Sequence, residues 1–384
     1  MAGSTIGSAN QTTRFQSEVR REYVRGGRFG PYIGKTENAI IQVKQDLKKV
    51  SIPLVAKLKS AGVSGSATLG GSEEALANFA ATLDPTYWRN GVLIDNEENE
   101  KSEFVLFQEA RPALMNWGME KKRDQIIQAM GAIEASGTYA NYGGTEGSKG
   151  AGAASAANMD TWQAANTDRI LYGAVKSNLT SGDHTTSLGT IDTTSDKLDA
   201  DMVSLLKRIA KQASPLIRPV LIKSDEPWFL FFIGSYSFRD LRADLDTRHQ
   251  NAAPRSLKDN PLWTGGDLVY DGVIVKEVPE IDIFIDGDGS GSPWDGVWGA
   301  NAASADGLDN GGDTASRIGI GFLCGAQAVG FGLGRMPSFK RRKEDDYEHL
   351  NGVGLSMKHD IKKLFYNAKQ HGIVTSFHSA AADS

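Results

Sequence analysis

Residues 29–82, FGPYIGKTENAIIQVKQDLKKVSIPLVAKLKSAGVSGSATLGGSEEALANFAAT, decide how this chain folds. Val50, Ile52 and Leu54 alternate as in a half-buried strand, and Pro53, with no N–H to donate, restricts that strand to an edge. Residues 60–72 (SAGVSGSATLGGS) read as a loop, and residues 75–94 return with apolar character. The two arms make a long two-stranded excursion whose Gly/Ser-rich tip has too little apolar surface to fold alone. A lone hairpin is marginal in water, so this one must lie on something else. That requirement points to a subunit completed by its partners.

Outward from the hairpin, residues 1–37 read as an extended, basic arm in which Gly26, Gly27, Gly30, Pro31 and Gly34 break any helix. Residues 102–135 carry the strongest helical signal: Met119, Ile126, Met130 and Ile133 fall at helical spacing, with Glu120 to Asp124 on solvated turns. Pro112 either begins the regular helix or kinks it. From Pro112 to Ala135 the rod would be roughly 36 Å long at about 1.5 Å per residue. Residues 136–165 are Gly/Ala/Ser-rich and read as an irregular insertion.

Residues 168–175 (DRILYGAV) form a short strand candidate. A second helix follows at 195–213, capped by Ser195 or Asp196, with Leu198, Met202, Leu205, Leu206 and Ile209 on one face and Pro215 and Pro219 ending it. The tract 220–245 changes period: a strand, a turn at Asp225–Pro227, a strongly apolar strand, then a polar helix start. Residues 268–285 and 317–334 each read as two short strands, and 352–379 as further strands. Helices and strands mix without regular βαβ alternation, so the expected class is α+β.

The 384 residues are a soft prior for two or three lobes, and 40% hydrophobic with 23% charged residues is ordinary globular composition. A net charge of −5 gives no global basic surface for nucleic acid or membrane. The charge is uneven, however. Residues 1–35 hold six bases against Glu18 and Glu22, a balance of +4, while residues 280–313 hold eight acids and no base. Such asymmetry suits surfaces that meet complementary surfaces. Cys324 is the only cysteine, which leaves no intrachain disulfide and no thiolate zinc cluster. The first residues lack the apolar core of a signal peptide and no stretch approaches 18 apolar residues, so a soluble intracellular product is expected.

No motif assembles a catalytic constellation. Gly30-Pro-Tyr-Ile-Gly34-Lys35-Thr36 imitates a phosphate loop, but only three residues separate its glycines and no apolar strand precedes it. Val92-Leu-Ile-Asp95 could pose as the accompanying magnesium strand. Asp286-Gly-Asp288-Gly-Ser290-Gly291 opens like a calcium loop, yet the Glu needed at position twelve is Val297. Gly319, Gly321, Gly325, Gly330, Gly332 and Gly334 alternate with bulky apolar residues, which is strand chemistry with close packing. The six histidines show no metalloprotease spacing, and no serine lies in a nucleophile elbow. His371 and His378 read as structural, and Cys324 as a buried small hydrophobe. In Lys340-Arg341-Arg342-Lys343 the positive run is answered at once by Glu344-Asp345-Asp346, which reads as a solvated or inter-subunit charged patch.

In this order, FGPYIGKTENAIIQVKQDLKK, IPLVAKLKSAGVSGSATLGGSEEAL, DRILYG, SYSFRDLRAD and DNPLWTGGDLVYDGVIVKE resemble the landmarks of tailed-bacteriophage major capsid proteins with the Hong Kong 97-type fold. The likeness spreads over residues 20–380. It implies an N-terminal arm at 1–37, an extended β-hairpin loop at 38–101, and a peripheral domain at 102–219 with a spine helix at 102–135. It further implies an axial domain at 220–335, with residues 336–384 returning to the peripheral domain. The implied partners are identical subunits in pentamers and hexamers, portal and scaffolding proteins during assembly, a decoration protein in some shells, and packaged DNA held near without sequence readout. No membrane partner, cofactor, metal or catalytic residue is expected. Lys57 and Lys59 lie near the loop tip, where some relatives cross-link, but nothing in the sequence assigns that chemistry here. Two other readings stay open: a calcium-binding β-rich surface or adhesion protein using Asp286 and Asp288, and an enzyme using the Lys35 loop.

Overall fold

The computed structural model describes residues 29–46, 48–66, 68–95, 106–135, 138–140, 156–192, 194–223, 226–250, 268–281, 318–342 and 350–380. A 3-10 turn at Gly30–Tyr32 leads into strands β1 (Ile33–Gly34), β2 (Ile41–Gln45), β3 (Val50–Val55), β4 (Asn78–Leu83) and β5 (Thr86–Asp95). Helix α1 (Leu106–Gly131) precedes β6 (Ile133–Ala135), β7 (Thr138–Ala140), α2 (Ala156–Ala165), β8 (Ile170–Tyr172), α3 (His184–Leu188) and α4 (Ala200–Gln212). Next come β9 (Leu221–Lys223), β10 (Glu226–Ile233), α5 (Ser235–Gln250), β11 (Leu268–Tyr270), β12 (Val273–Glu277) and β13 (Ile318–Cys324). The chain closes with β14 (Val329–Arg342), β15 (Leu350–Lys363), β16 (Phe365–Tyr366), β17 (Lys369–Gln370) and β18 (Ile373–Ser379). Helices and strands are mixed, as the sequence pattern predicts. These residues form two compact units, a smaller one from 86–122 and 335–358 and a larger one from 29–85, 123–334 and 359–380.

The larger unit is built on a sheet of order β11-β12-β10-β13-β18-β8, with β9 paired to β10. Its middle strands are buried on both faces, and the alternation of side chains along a strand divides them between two cores. Phe229, Phe231 and Ile233 of β10 pack with Met202, Val203, Leu206 and Ile209 of α4 and Leu241 of α5. Leu230 and Phe232 point the other way, to Ile126, Ile127 and Met130 of α1 and Trp162 of α2. A one-residue slip would exchange the two faces, so the register is strongly specified. Gly321 is required by this packing: a Cβ there would come within 2.5 Å of Phe231 Cζ and 2.6 Å of Ser376 Oγ. The β11–β12 hairpin turns through Asp271 and Gly272, both at positive φ (45° and 71°), as a two-residue turn matched to strand twist demands.

In the smaller unit β14, β15 and β5 are neighbours in that order. Ile94, Val353 and Leu355 pack on Ala110 and Leu114 of α1, with Trp117 and Phe339 at the margin. A Cβ on Gly118 would stand 3.0 Å from Leu355 Cδ2, so glycine lets the helix lie close to the sheet. Lys121, a buried lysine, has Nζ 4.3 Å from the ring centre of Trp88, and the exposed Arg111 guanidinium lies 5.2 Å from that of Phe339, cation–π contacts that tie the helix to the sheet.

Four expectations change. The helix expected over 102–135 stops at Gly131, a poor helix former, and Ile133–Ala135 instead pairs antiparallel with Thr138–Ala140; it also runs through Pro112 rather than starting there. The last ten residues of the expected irregular insertion 136–165 are α2, because Trp162 and Gln163 supply a buried face that the small-residue composition conceals. Helix α4 is capped by Asp199, whose carboxylate accepts from Met202 N. The earlier candidates serve elsewhere: Asp196 accepts from Ala174 N at 2.7 Å, and Ser195 N donates to Asp192. Finally, Glu226 and Pro227, expected in a turn, are already paired with Lys223 and Ile222.

Candidate functional site

The excursion predicted from residues 29–82 is present as a hairpin of unequal halves. At its foot, Val50–Val55 pairs antiparallel with Asn78–Leu83 in an isolated two-stranded sheet, which leaves Pro53 on the free edge its missing N–H requires. Ile52 and Leu83 are buried against Leu364 and Tyr366, and the Tyr366 hydroxyl donates to Ile52 O at 3.3 Å. From the end of β3 onward the apolar side chains are more than half exposed: Val55, Leu58, Leu69 and Leu76 are 58%, 56%, 61% and 63% exposed. Scattered exposed leucines are ordinary, but a series along one projecting loop marks an interaction surface.

The loop is nevertheless shaped. Glu74 reaches across it and accepts from Lys59 N at 2.8 Å and Ser60 N at 2.6 Å. These two backbone N–H groups hold its carboxyl below the usual range. Ala56 N donates to Ala77 O at 2.8 Å and Ser72 N to Leu69 O at 2.9 Å. Gly62, Gly65 and Gly71 take positive φ with no atom near a would-be Cβ, so backbone conformation alone calls for glycine there. Lys57 and Lys59 are exposed on this loop.

The start of the stretch is an anchor. Phe29 is buried with its ring 5.1 Å from Phe232, and Tyr32 meets the same ring edge-on at 5.7 Å. Strand β2 lies parallel to β1 on one side and to the start of β14 on the other. The Gly30–Thr36 tract is therefore a 3-10 turn and a strand end, and among the described residues it leads into strand β2 rather than into the helix that follows a phosphate loop.

A buried polar framework supports the hairpin's footing, and sequence reasoning missed it. Arg169 is fully buried; its guanidinium donates to the carbonyls of Gln370 and Pro215 and, at 2.9 Å, to that of His371. Gln370 in turn accepts from Lys363 Nζ at 2.8 Å through Oε1, and its N–H donates to Asn166 at 2.9 Å. Lys363 Nζ also donates to Ala132 O at 3.1 Å and lies 5.9 Å from the ring centre of Trp162. Burial pushes this lysine down to about 7, opposed by the neighbouring Cys324 thiol, which burial pushes up to about 12. A buried group of that kind holds the segments 166–172 and 363–371 in one arrangement because each unmade bond would leave a costly orphan.

The remaining singled-out residues are dispersed. Burial holds His371 at about 4 and His378 at about 3, and the latter bonds Ser237 Oγ at 2.6 Å. Both partners of that pair are fully enclosed, so no substrate reaches it. Cys324 is buried and its thiol is held protonated, as expected for packing chemistry rather than attack. The glycines of 319–334 lie in β13, β14 and the turn between them. Lys340, Arg341 and Arg342 end β14 and are exposed. Asp286 and Asp288 lie outside the described residues, as do Lys343, Glu344–Asp346 and nearly all of the expected arm. Among the described residues no cluster of His, Cys, Asp and Glu could hold a metal, and no helix is long and apolar enough to cross a membrane.

Comparison with known proteins agrees with this geometry. The capsid asymmetric unit of cyanophage Pam1 matches at 33% identity and TM-score 0.84, covering 100% of both chains. The capsid of Ralstonia phage GP4 shares the fold at 16% identity and TM-score 0.66 over 100% of both chains. The acid-stable capsid of Helicobacter pylori bacteriophage KHP30 does so at 14% identity and TM-score 0.68, over 97% of this chain and 96% of that one. No curated protein sequence matches. The family match leaves the calcium-binding adhesion reading without support. With a profile described as phage capsid protein matching residues 4–380, the chain belongs to the phage capsid protein family.

Proposed function

We propose that copies of this chain assemble as pentamers and hexamers into the icosahedral shell that encloses a phage double-stranded DNA genome. The observation that carries the reading is the hairpin whose foot is buried and whose projecting half is apolar, exposed and conformationally set. Residues 1–37 act as the arm, and 38–101 act as the extended loop that covers a neighbouring subunit. Helix α1 serves as the spine of the peripheral domain expected at 102–219 and 336–384. The sheet around β10 and β13 carries the axial domain expected at 220–335, and β8 and β18 bring the flanking segments into the same sheet. The role is structural, without catalysis. Synthesis occurs in the host bacterial cytoplasm, and the mature location is the virion. Portal and scaffolding proteins join during assembly, and a decoration protein is compatible with the exposed surface.

Many modest heterologous contacts close a shell when their geometry fits, and each limb adds an effectively intramolecular contact once a ring exists. Negative-stain electron microscopy of the protein, expressed alone or with its genomic neighbours, tests the reading. Closed shells, tubes or capsomer rings are expected; a dispersed monomer under every assembly condition would overturn it.

A further inference from the structure

The smaller unit ends on an open strand edge. Strand β5 is the last of its sheet, and at ten residues it is about twice the usual strand length. Natural edge strands are commonly kept short or interrupted by proline, because unpaired backbone groups invite another strand. β5 is neither, and Tyr87, Val92 and Leu93 are exposed along it. The contacts with β15 show which of its backbone groups are left over. Lys358 Nζ stands 5.3 Å from the Tyr87 ring centre, and a Cβ on Gly352 would meet Leu93 Cδ1 at 3.7 Å, so the two strands run antiparallel. A Cβ on Gly91 would stand 3.4 Å from Val353 O, one on Gly354 3.6 Å from Asn90 O, and one on Gly352 3.7 Å from Val92 O. The carbonyls of Asn90 and Val92 therefore lie between β5 and β15. Backbone groups alternate in direction along a strand, so those of Tyr87, Arg89, Gly91, Leu93 and Asp95 point to the open side. In keeping with this, Gly91 N donates to the side chain next to it, Asn90 Oδ1, at 2.9 Å.

Two copies that meet edge to edge about a two-fold axis pair β5 antiparallel with its own counterpart, an isologous contact. Arg89 and Asp95 are the only charged residues of the strand, and both belong to the outward-pointing set. The register that sets residue 92 opposite itself sets residue 89 opposite residue 95 in both directions, so the strand meets opposite charge twice. The same register lays Leu93 beside Gly91, the one position without a side chain. Centring the pairing on Gly91 instead sets Arg89 against Leu93 and forfeits both charge pairs. Opposite charges directly across two strands stabilise the pairing and like charges oppose it. We propose that β5 is a self-pairing edge that joins the sheets of two copies of this chain, with Val92 on the two-fold axis. The inference goes beyond the shell reading by naming one contact between copies. A single strand pair is a small interface, weak alone and strengthened when many copies are held together.

The test uses the full-length protein carrying Val92→Cys. Residues opposed in a non-hydrogen-bonded antiparallel pair have Cα atoms about 4.5 Å apart, within the span of a disulfide. Mild oxidation should therefore convert the variant to a reducible dimer on a gel. Asn90→Cys, whose counterpart lies four residues along the paired strand, roughly 14 Å away, should stay monomeric. So should the wild type, whose single Cys324 is buried. Charge reversal supplies a second readout in the Val92→Cys background. Adding Arg89→Glu, or adding Asp95→Arg, sets like charges opposite each other at both pairs and should slow cross-linking about tenfold. A mixture of these two variants recovers opposite charge at both pairs, and its mixed dimer should form at the rate of Val92→Cys alone. A Val92→Cys protein that does not cross-link, an Asn90→Cys protein that cross-links as well, or a mixture no faster than its components overturns the proposal. Closed wild-type shells beside a failed cross-link would leave the shell reading standing, whereas a cross-linked dimer from a protein that never forms shells would uphold this contact and sink that reading.

Discussion

Replacing Lys363 with Met should change how the stability of the subunit responds to pH, and the direction follows from the buried framework. In the folded subunit Lys363 titrates at about 7 against an ordinary value of 10.5, because burial disfavours its charge. Between those values the unfolded chain binds the proton and the folded chain does not, so stability rises with pH. Below the folded value both states are charged and the full cost of burying the ammonium is present. From pH 7 to 8.5 the linkage amounts to roughly 1–2 kcal/mol. With a urea m-value near 3 kcal/mol/M, that is a midpoint shift of about 0.5 M. Burial also lowers Lys122, but that group is common to the wild type and the variant, so the difference between the two proteins isolates Lys363. His184 and His371 are held at about 4 and His378 at about 3, so their linkage ends near pH 6.5. Cys324, pushed up to about 12, works in the opposite direction and only above about pH 8.5. Urea unfolding of the soluble subunit at pH 7.0, 7.75 and 8.5 provides the assay. Lys363→Met is less stable overall, since Ala132 O and Gln370 Oε1 lose their donor, but its midpoint should gain about 0.5 M less across the window than the wild type's. Parallel midpoint curves for the two proteins would refute the argument.

Other outcomes follow from the packing and the hairpin. Gly321→Val would drive methyl groups into Phe231 and Ser376, an overpacking cost of about 1–3 kcal/mol or more, read as a fall in thermal midpoint. Phe232→Ala should cost about 3–5 kcal/mol; because Phe29 and Tyr32 rest on that ring, limited proteolysis should also cut the chain near residues 29–36 sooner. Deleting residues 60–72, whose described members are all exposed, should leave the subunit soluble and impair assembly, and normal shells from the deletion would show that the tip has been misassigned.

What the sequence made legible was what repeats with a period. The stripe of Leu198, Met202, Leu206 and Ile209 locates α4 because burial on one face imposes helical spacing, and the same logic separates β10 and β13 as unusually apolar strands. The edge placement of Pro53 follows from a single missing donor. The failures have physical causes as well. Helix α2 hides in Gly/Ala/Ser-rich sequence because its burial depends mainly on one bulky residue, Trp162. Asp199, rather than Ser195 or Asp196, caps α4 because three oxygen-bearing side chains lie within five residues, and tertiary bonds to Ala174 and Asp192 decide among them. Arg169 and Lys363 look solvated in a sequence, since nothing in their neighbourhood announces that carbonyls two hundred residues away will receive them. The candidate site was legible in outline, as a hairpin with too little cover. The Glu74 clamp that shapes it requires two N–H groups 14 and 15 residues distant, a pairing no local pattern encodes.

The most direct measurement is a cryo-electron microscopy reconstruction of the particle this protein forms. The account predicts density for residues 56–77 lying on an adjacent copy, with Leu58, Leu69 and Leu76 covered by that neighbour. A map in which the same loop folds back on its own subunit, touching no second copy, would contradict it.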